Sequence, residues 1–567
     1  MDVRSKKTGD IIRLNKSHFI TSGGEGHIYA RNGIAYKISI DPRTTIPYNK
    51  IQELSLIQNP NVIKPEDLLT NKRGIPVGYS MKHISNTYVL CQLFPKAFRL
   101  REKLENNTVL DLILQLRKMI EDIHKAEILV VDLNELNFLV SKDFKNIYGI
   151  DVNSFQTKSF PATALMESVR DRHSKTFSEL TDWFSFGIVS FQLFVGIHPF
   201  KGRYPKIRYP QDKMRELNER MLKNIPVFHS DVRYPGNVLP FDVIPQAYKD
   251  WYKSIFVNGQ RVEPPIDAVE IVFIPTIIKE TIGDKDFDIS KLFQYDSELI
   301  DYISVNGIRI AVTKNKDVYI NGKKSHNTDC KHFGITPKNN KIIGIKIENN
   351  KVMAYDIVQN KKLGCSISAQ EIFSYKGRVY VKNMDDIIEI EFAEMKKMDP
   401  RPVPRLVGKV MENATYIGYG VVIQNVLGRY VASMFPKSRS NSQVPIEELD
   451  GYKVVEAKYD SGILIIIASK KGRYDKFILK FDDNNKRYSL RKIDNITYSG
   501  INFTVLENGV VIHINETEEI ELFHKEKDSS TVKVLSSSII SGDMRLYSDG
   551  VKVLFSRDKE IYRLKMK

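Results

Sequence analysis

From about residue 290 to its end the chain repeats one scheme: a short apolar run, a glycine turn, then two alternating strands. The stretches "ISVNGIRIAVTKNKDVYING", "IFSYKGRVYVKNMDDIIEIEF", "YDSGILIIIASKKGRYDKFILKF", "YSGINFTVLENGVVIHI" and "ISGDMRLYSDGVKVLFSRDKEIYRL" all follow it. With Gly307, Gly344, Gly377, Gly420, Gly462, Gly500 and Gly542 as markers, the gaps are 37, 33, 43, 42, 38 and 42 residues. A unit of roughly forty residues with about four short strands has the period of a propeller blade. Seven such units close a ring and leave no long free edges. The spacing predicts an all-β domain over 291–567, a roughly seven-bladed β-propeller. A β-sandwich pair with an accidental period is the alternative, and weak marking of the first two units leaves six or eight blades open. The blade-end Trp-Asp of the commonest repeat family is missing.

The first half has another texture, as expected of a 567-residue chain, which is too long for one core. "HIYARNGIAYKISI" (27–40) alternates around Asn32-Gly33, a hairpin signal. "YNKIQELSLIQ" (48–58) places Ile51, Leu54 and Ile57 at helical spacing before Pro60, and "TVLDLILQLRKMIEDIHKA" (108–126) reads as a longer helix capped by Thr108. Strands first and helices afterwards predict an α+β domain over 1–268, with a small sheet lobe, a larger helical lobe and a linker over 269–290.

Several function classes recede on composition. The net charge of +16 is shared, +9 in 1–268 and +7 in 269–567, with no arginine-rich block. Such spread favours solubility over a dedicated nucleic-acid face. "KGRYPKIRYPQDKMR" (201–215) accordingly reads as a solvated basic face. Cys91, Cys330 and Cys365 are too few and scattered for a disulfide framework, which suggests a reducing compartment. "HNTDCKHF" (326–333) lacks a fourth zinc ligand nearby. The N-terminus has no signal-peptide core, and "WFSFGIVSFQLFVGI" (183–197) is too short to span a bilayer. The expectation is a cytoplasmic protein with a buried helix there.

The chemistry sits in "ILVVDLNELNFLV" (128–140), an apolar run interrupted by Asp132, Asn134, Glu135 and Asn137. Unpaired buried carboxylates are costly, so these side chains need partners. Asp132 and Asn137 match D-x-x-x-x-N, and Asp151 follows fourteen residues after Asn137, beyond another short strand. Upstream lie a glycine-rich turn with Gly23, Gly24 and Gly26, and Lys37 inside a strand. Each element alone is weak. Together they suit the handling of a metal-bound phosphate chain, in which glycine-turn amides approach phosphates, a lysine adds charge, and hard oxygens of Asn137 and Asp151 hold Mg²⁺. Asp132 is then left to accept the proton of an attacking hydroxyl.

In this order the motifs resemble the eukaryotic-like Ser/Thr protein kinase superfamily over roughly residues 15–268. Gly23, Gly26 and the "HIY" that follows are similar to its glycine loop, with Thr21 in place of the first glycine. Lys37 of "AYK" stands where the ATP-anchoring lysine belongs. "NPNVIKPEDLL" (59–69) resembles the turn after the regulatory helix. "VGYSMKHIS" (77–85) resembles the strand entering the hinge, with Met81 at the gatekeeper place and His83 beside the nucleotide. "HKAEILVVDLNELNFLV" (124–140) resembles the catalytic loop, and "GIDVNSF" (149–155) stands in for Asp-Phe-Gly. "TDWFSFGIVSFQLFVGIHPF" (181–200) resembles the Asp-x-Trp-Ser-x-Gly helix, and "GQRVEPP" (259–265) the arginine-containing close of the fold. The resemblance implies a two-lobed protein-kinase-like domain using ATP and Mg²⁺, with Asp132 as base and Asn137 and Asp151 on the metal.

Departures qualify the activity. Val130-Val131 replaces His-Arg, Asn134 replaces the lysine that meets the γ-phosphate, and Val152-Asn153 replaces Phe-Gly. The segment from Asp151 to Glu167 is short. Lys50 falls where the glutamate partner of Lys37 is expected; Glu53, one turn later, is favoured, with Glu25 or no partner as alternatives. The expected function is transfer of the γ-phosphate of ATP to Ser/Thr hydroxyls, with a propeller that recruits a protein substrate or partner. The alternatives are a pseudokinase scaffold or nucleotide-binding interaction protein, and a small-molecule kinase or AMP transferase of the same fold.

Overall fold

The computed structural model describes the chain except residues 24, 210–211, 267–285, 306, 396–397, 436–441, 471, 483, 527–531 and 538. It divides into two compact units. One comprises Met1–Ile278 with the short segments Ser469–Tyr474 and Asp494–Ser499; the other comprises the remainder.

In the first unit, β1 (Asp2–Ser5), β2 (Ile11–Arg13), β3 (Phe19–Ser22), β4 (Gly26–Arg31), β5 (Ile34–Ser39), β6 (Asp67–Thr70) and β7 (Pro76–Lys82) form a seven-stranded sheet ordered β2-β1-β6-β7-β5-β4-β3. Asn32 and Gly33, both at positive φ, make the tight turn between β4 and β5, as their sequence predicts. A second sheet joins β8 (Thr87–Val89), β9 (Phe138–Ser141) and β10 (Ile147–Gly149) in the order β10-β9-β8.

The helices are α1 (Tyr48–Leu54), α2 (Lys96–Glu102), α3 (Asn106–His124), α4 (Glu179–Val195), α5 (Lys213–Leu222) and α6 (Gln246–Tyr252). Helix α1 is shorter than its periodicity predicts. Helix α3 begins at Asn106, so Thr108 lies inside it and does not cap it; Glu105 occupies the cap without a side-chain bond. Helix α4 holds most of the apolar run at 183–197, ending at Val195. The Ser178 side chain accepts the Thr181 amide at its start, and Gly196 ends it at φ 83°. It is buried nearly all round, as a helix apolar on every face must be. Its polar side chains find partners: Ser185 donates to the Val169 carbonyl and Ser190 pairs with the Tyr252 hydroxyl. No helix among the described residues is long and apolar enough to cross a membrane.

The second unit is all-β. Among the described residues it holds seven four-stranded antiparallel sheets. Six are consecutive: Leu299–Lys324, His332–Leu363, Glu371–Lys409, Thr415–Pro445, Lys453–Ile496 and Asn502–Leu535. The seventh takes Phe287–Gln294 from the start of the region and pairs it with Glu560–Met566 from its end. Residues 287–290, expected in the linker, therefore belong to a strand, while 267–285 lie outside the described residues. Gly307, Gly377, Gly420 and Gly462 occupy the first hairpin turn of four sheets at positive φ. Gly344 instead lies inside the strand Ile342–Glu348, so as a marker it was half a hairpin out of place. Each sheet shares an apolar cluster with the next in sequence, and the seventh shares one with the sixth and another with the first.

Candidate functional site

The apolar residues of 128–140 hold this run in place. Leu129 exchanges both backbone bonds with Gln156 at 2.9 Å, and Val130, Val131 and Leu133 are buried. The carboxylate of Asp182, on α4, accepts the amides of Val130 at 2.7 Å and Val131 at 2.9 Å, and His124 Nε2 lies 3.0 Å from it. Val131 sits at φ 61°, a left-handed conformation that a β-branched residue strongly disfavours. This strained residue turns the chain so that Asp132 follows directly.

Asp132 is buried, and its Oδ1 accepts the Met166 amide at 2.6 Å. Asn137 donates its Nδ2 to the Asp132 carbonyl at 3.0 Å and to its Oδ2 at 3.2 Å. Burial pushes the Asp132 carboxyl above the usual carboxylate range; the Met166 amide, Asn134 and Asn137 oppose this, and the charge of Asp151 adds to it. Asp151, at φ 61°, leads a short turn over Val152–Ser154.

Lys37 comes from the middle of β5, opposite Ile28 of β4 and Tyr79 of β7. Gly78 lets β7 come this close, because a Cβ there would run into the Lys37 carbonyl oxygen. The Lys37 ammonium lies 3.0 Å from Asp151 Oδ1, 2.9 Å from Glu25 Oε2 and 3.2 Å from Asn153 Oδ1. Burial works against its charge, but the Tyr79 phenol, Asp151 and Glu25 outweigh that and hold the amine well above its ordinary range. Lys37 of β5 thus meets the turn at 151–153, and the backbone just before that turn is tied to 132–137 by the Ile150 amide, which donates to the Asn137 backbone carbonyl at 2.9 Å.

The glycine turn closes on Lys37 from the β4 side. Gly23 donates its amide to Gly26 at 2.9 Å, and a Cβ on Gly26 would meet the Ile38 carbonyl oxygen at 2.6 Å. Gly24 lies outside the described residues. Met81 is half-buried on β7 opposite Ala35, and the His83 amide donates to Gly33. Burial pushes the His83 imidazole below its usual range.

Two sequence expectations are corrected. Glu53 does not pair with Lys37; its carboxylate accepts the Ser159 amide at 3.2 Å, and Glu25, the alternative, is the glutamate on Lys37. Helix α1 buries Lys50, Ile51 and Leu54 and so aims Glu53 elsewhere. Asn134 is almost fully buried and bonded into its own loop: it donates to the Asp132 carbonyl and accepts the Leu136 amide. The loop consumes the amide that was expected to face a phosphate. Arg261 makes a two-pronged pair with Asp171, at 2.6 Å through each nitrogen, and Glu167 pairs with Arg172.

Four contributors escaped the sequence reading: Tyr79, Asn153, Met166 and the amide-binding role of Asp182. Tyr79 had a signal, since strand alternation places it and Met81 on one face of "VGYSMKHIS".

In comparison with known proteins, no family model and no curated protein matches this chain. The site must be read from its own chemistry. Asn137 engages Asp132 through its Nδ2, which leaves its carbonyl oxygen, with the Asp151 carboxylate, as hard donors for a divalent cation. Among the described residues no cluster of three or more His, Cys, Asp and Glu is arranged to hold a metal. Magnesium is usually held by one or two carboxylates completed by phosphate oxygens, which this donor set fits.

Proposed function

We propose that the first unit is a protein-kinase-like phosphotransferase that binds ATP with Mg²⁺ and passes the γ-phosphate to a Ser or Thr hydroxyl. One set of contacts carries this reading: Lys37 bonds Asp151, Asn137 bonds Asp132, and the amide of Ile150, next to Asp151, donates to the Asn137 backbone carbonyl at 2.9 Å. A cation, a candidate base and two oxygen donors from distant parts of the sequence thus lie on adjoining segments. Lys37 would orient the phosphates beneath the turn of Gly23 and Gly26, with Met81 and His83 beside the base. Asn137 and Asp151 would hold the metal, and Asp132 would accept the hydroxyl proton during in-line transfer. Bound magnesium supplies charge to offset that developing on the transferred group.

A second reading has its own support. Asp132 Oδ1 is taken by the Met166 amide, and Asn134 has no reach beyond its loop. A nucleotide-binding scaffold without transfer would tolerate both.

We read the second unit as a seven-bladed propeller that recruits a protein partner or substrate. Its support is the run of four-stranded sheets, the sheet shared by the first and last strands, and the apolar clusters linking each sheet to the next. The recruiting role rests on analogy of architecture.

Incubating the full chain with γ- and α-labelled ATP separates the possibilities. Transfer of γ-label that disappears in Asp132→Asn and Asp151→Ala supports the kinase. Transfer of α-label indicates an AMP transferase, and ATP binding without transfer indicates the scaffold. Transfer of γ-label that survives both substitutions refutes the assignment.

A further inference from the structure

Lys37 has three N–H groups and three acceptors, and those acceptors differ in how firmly the fold holds them. Asp151 follows the strand β10 and opens a short turn. Asn153, two residues on, is half-buried, and its Oδ1 also accepts the Tyr79 hydroxyl at 2.6 Å. Tyr79 is itself only 4% exposed and lies directly across the strand pair from Lys37. The one oxygen of Asn153 therefore accepts both the Tyr79 hydroxyl of β7, which pins it, and the Lys37 ammonium. Glu25 differs. Its side chain is 53% exposed, on the glycine turn just before β4.

An incoming triphosphate brings oxygens that compete for the same ammonium. The acceptor that yields is the one held least, and it also carries a negative charge that would repel the phosphates. Resting on the nucleotide-binding part of the function proposed for this unit, we propose that Asn153, fixed by Tyr79, is a positioning residue. Together with Asp151 it holds two N–H groups of Lys37, so that the third meets a phosphate of a nucleoside triphosphate, while Glu25 occupies that third place in the free protein and is displaced. Asn153 thus supplies part of the anchoring that Glu53 does not give.

The test measures binding of Mg·ATP and of adenosine to the full chain and to Tyr79→Phe, Asn153→Ala, the double variant and Glu25→Gln, each checked by its thermal unfolding midpoint. Tyr79→Phe is nearly isosteric and guards against loss of folding in Asn153→Ala. Each of these two weakens Mg·ATP about five-fold, the worth of one hydrogen bond, and leaves adenosine unchanged. The double variant is no weaker than Asn153→Ala, because Tyr79 acts through Asn153. Glu25→Gln moves the other way and tightens Mg·ATP by about three-fold, as removal of one nearby like charge does. The proposal is overturned if Asn153→Ala leaves Mg·ATP binding unchanged or weakens adenosine equally, or if Glu25→Gln weakens Mg·ATP. Should the unmodified chain bind neither ligand, the reading under Proposed function fails instead. Labelling of Lys37 by an amine-acylating reagent, read by mass spectrometry, then decides the present one: Asn153→Ala must speed it several-fold, and an unchanged rate refutes the positioning role.

Discussion

Replacing Asp182 by Asn tests whether a helix side chain, more than the loop's own sequence, sets the conformation around Asp132. The carboxylate accepts two backbone amides and lies 3.0 Å from His124 Nε2. Val130 and His124 both meet Oδ2, so an asparagine with its oxygen there keeps these two contacts and turns its NH₂ toward the Val131 amide, which loses its acceptor. A bond to a charged group whose loss leaves a buried donor unpaired is worth about 2–3 kcal/mol, which is the expected cost. It also releases Val131, whose left-handed backbone stores about 1–2 kcal/mol that the bonds now offset. The effect can be read selectively, because the only two tryptophans, Trp183 and Trp251, lie in the first unit. Trp183 adjoins Asp182 and packs its ring against His124. With a urea dependence of about 3 kcal/mol per molar for a domain of this size, the fluorescence midpoint of Asp182→Asn should fall by about 0.7–1 M. In a Val131→Gly background the same substitution should cost about 1 kcal/mol more, since glycine stores no comparable strain whose release would offset the lost bonding. A midpoint within about 0.2 M of the unsubstituted chain, or full additivity with Val131→Gly, would refute the reasoning.

Three further outcomes are expected. Asp171→Ala leaves the Arg261 guanidinium without its two-pronged partner and should destabilise the first unit by about 3–5 kcal/mol, while Asp171→Asn combined with Arg261→Met should cost less than the sum of the single changes; tryptophan fluorescence against urea checks both. His198 accepts the Phe200 amide on Nδ1 and bonds the Ser168 carbonyl through Nε2, and burial, with help from Lys201 and Arg220, pushes its imidazole down to about 3. A depressed folded value means the unfolded chain takes up the proton first, so stability is intact above the ordinary value near 6.5 and falls as pH drops toward 3. Between pH 7 and 5 the loss should be about 2 kcal/mol more than in His198→Gln, measured from urea midpoints at each pH. Gly78→Ala should push β7 away from β5 at Lys37 and cost about 1–3 kcal/mol by overpacking; an unchanged midpoint would show that the strands can part freely.

Much of the architecture was legible before any coordinates, for local reasons. Asn32-Gly33 announces a two-residue hairpin turn because few other pairs adopt its backbone angles, and the hairpin is there. The apolar run at 183–197 is too short for a membrane span and suits a buried helix, and it is buried helix as far as Val195. The recurring glycines of the second half located four of its hairpin turns. Where local signals competed, the reading slipped: Thr108 looked like a cap but lies inside α3, and Gly344 looked like a turn but serves inside a strand.

The site divides along the same line. Sequence alone picked out Lys37, Asp132, Asn137 and Asp151, because residue type and chain order are properties of the string. Which groups face which is decided by packing, and packing is not local. Glu53 lost Lys37 to Glu25 because α1 buries its other face, and Asn134 turned inward because its loop needed both ends of the amide. Tyr79 and Asn153, 74 positions apart, meet only because β7 and the turn after β10 are brought together by the fold. The chemical inventory was thus fixed by the order of residues, whereas partners and protonation depend on distances and burial that exist only once the chain has folded.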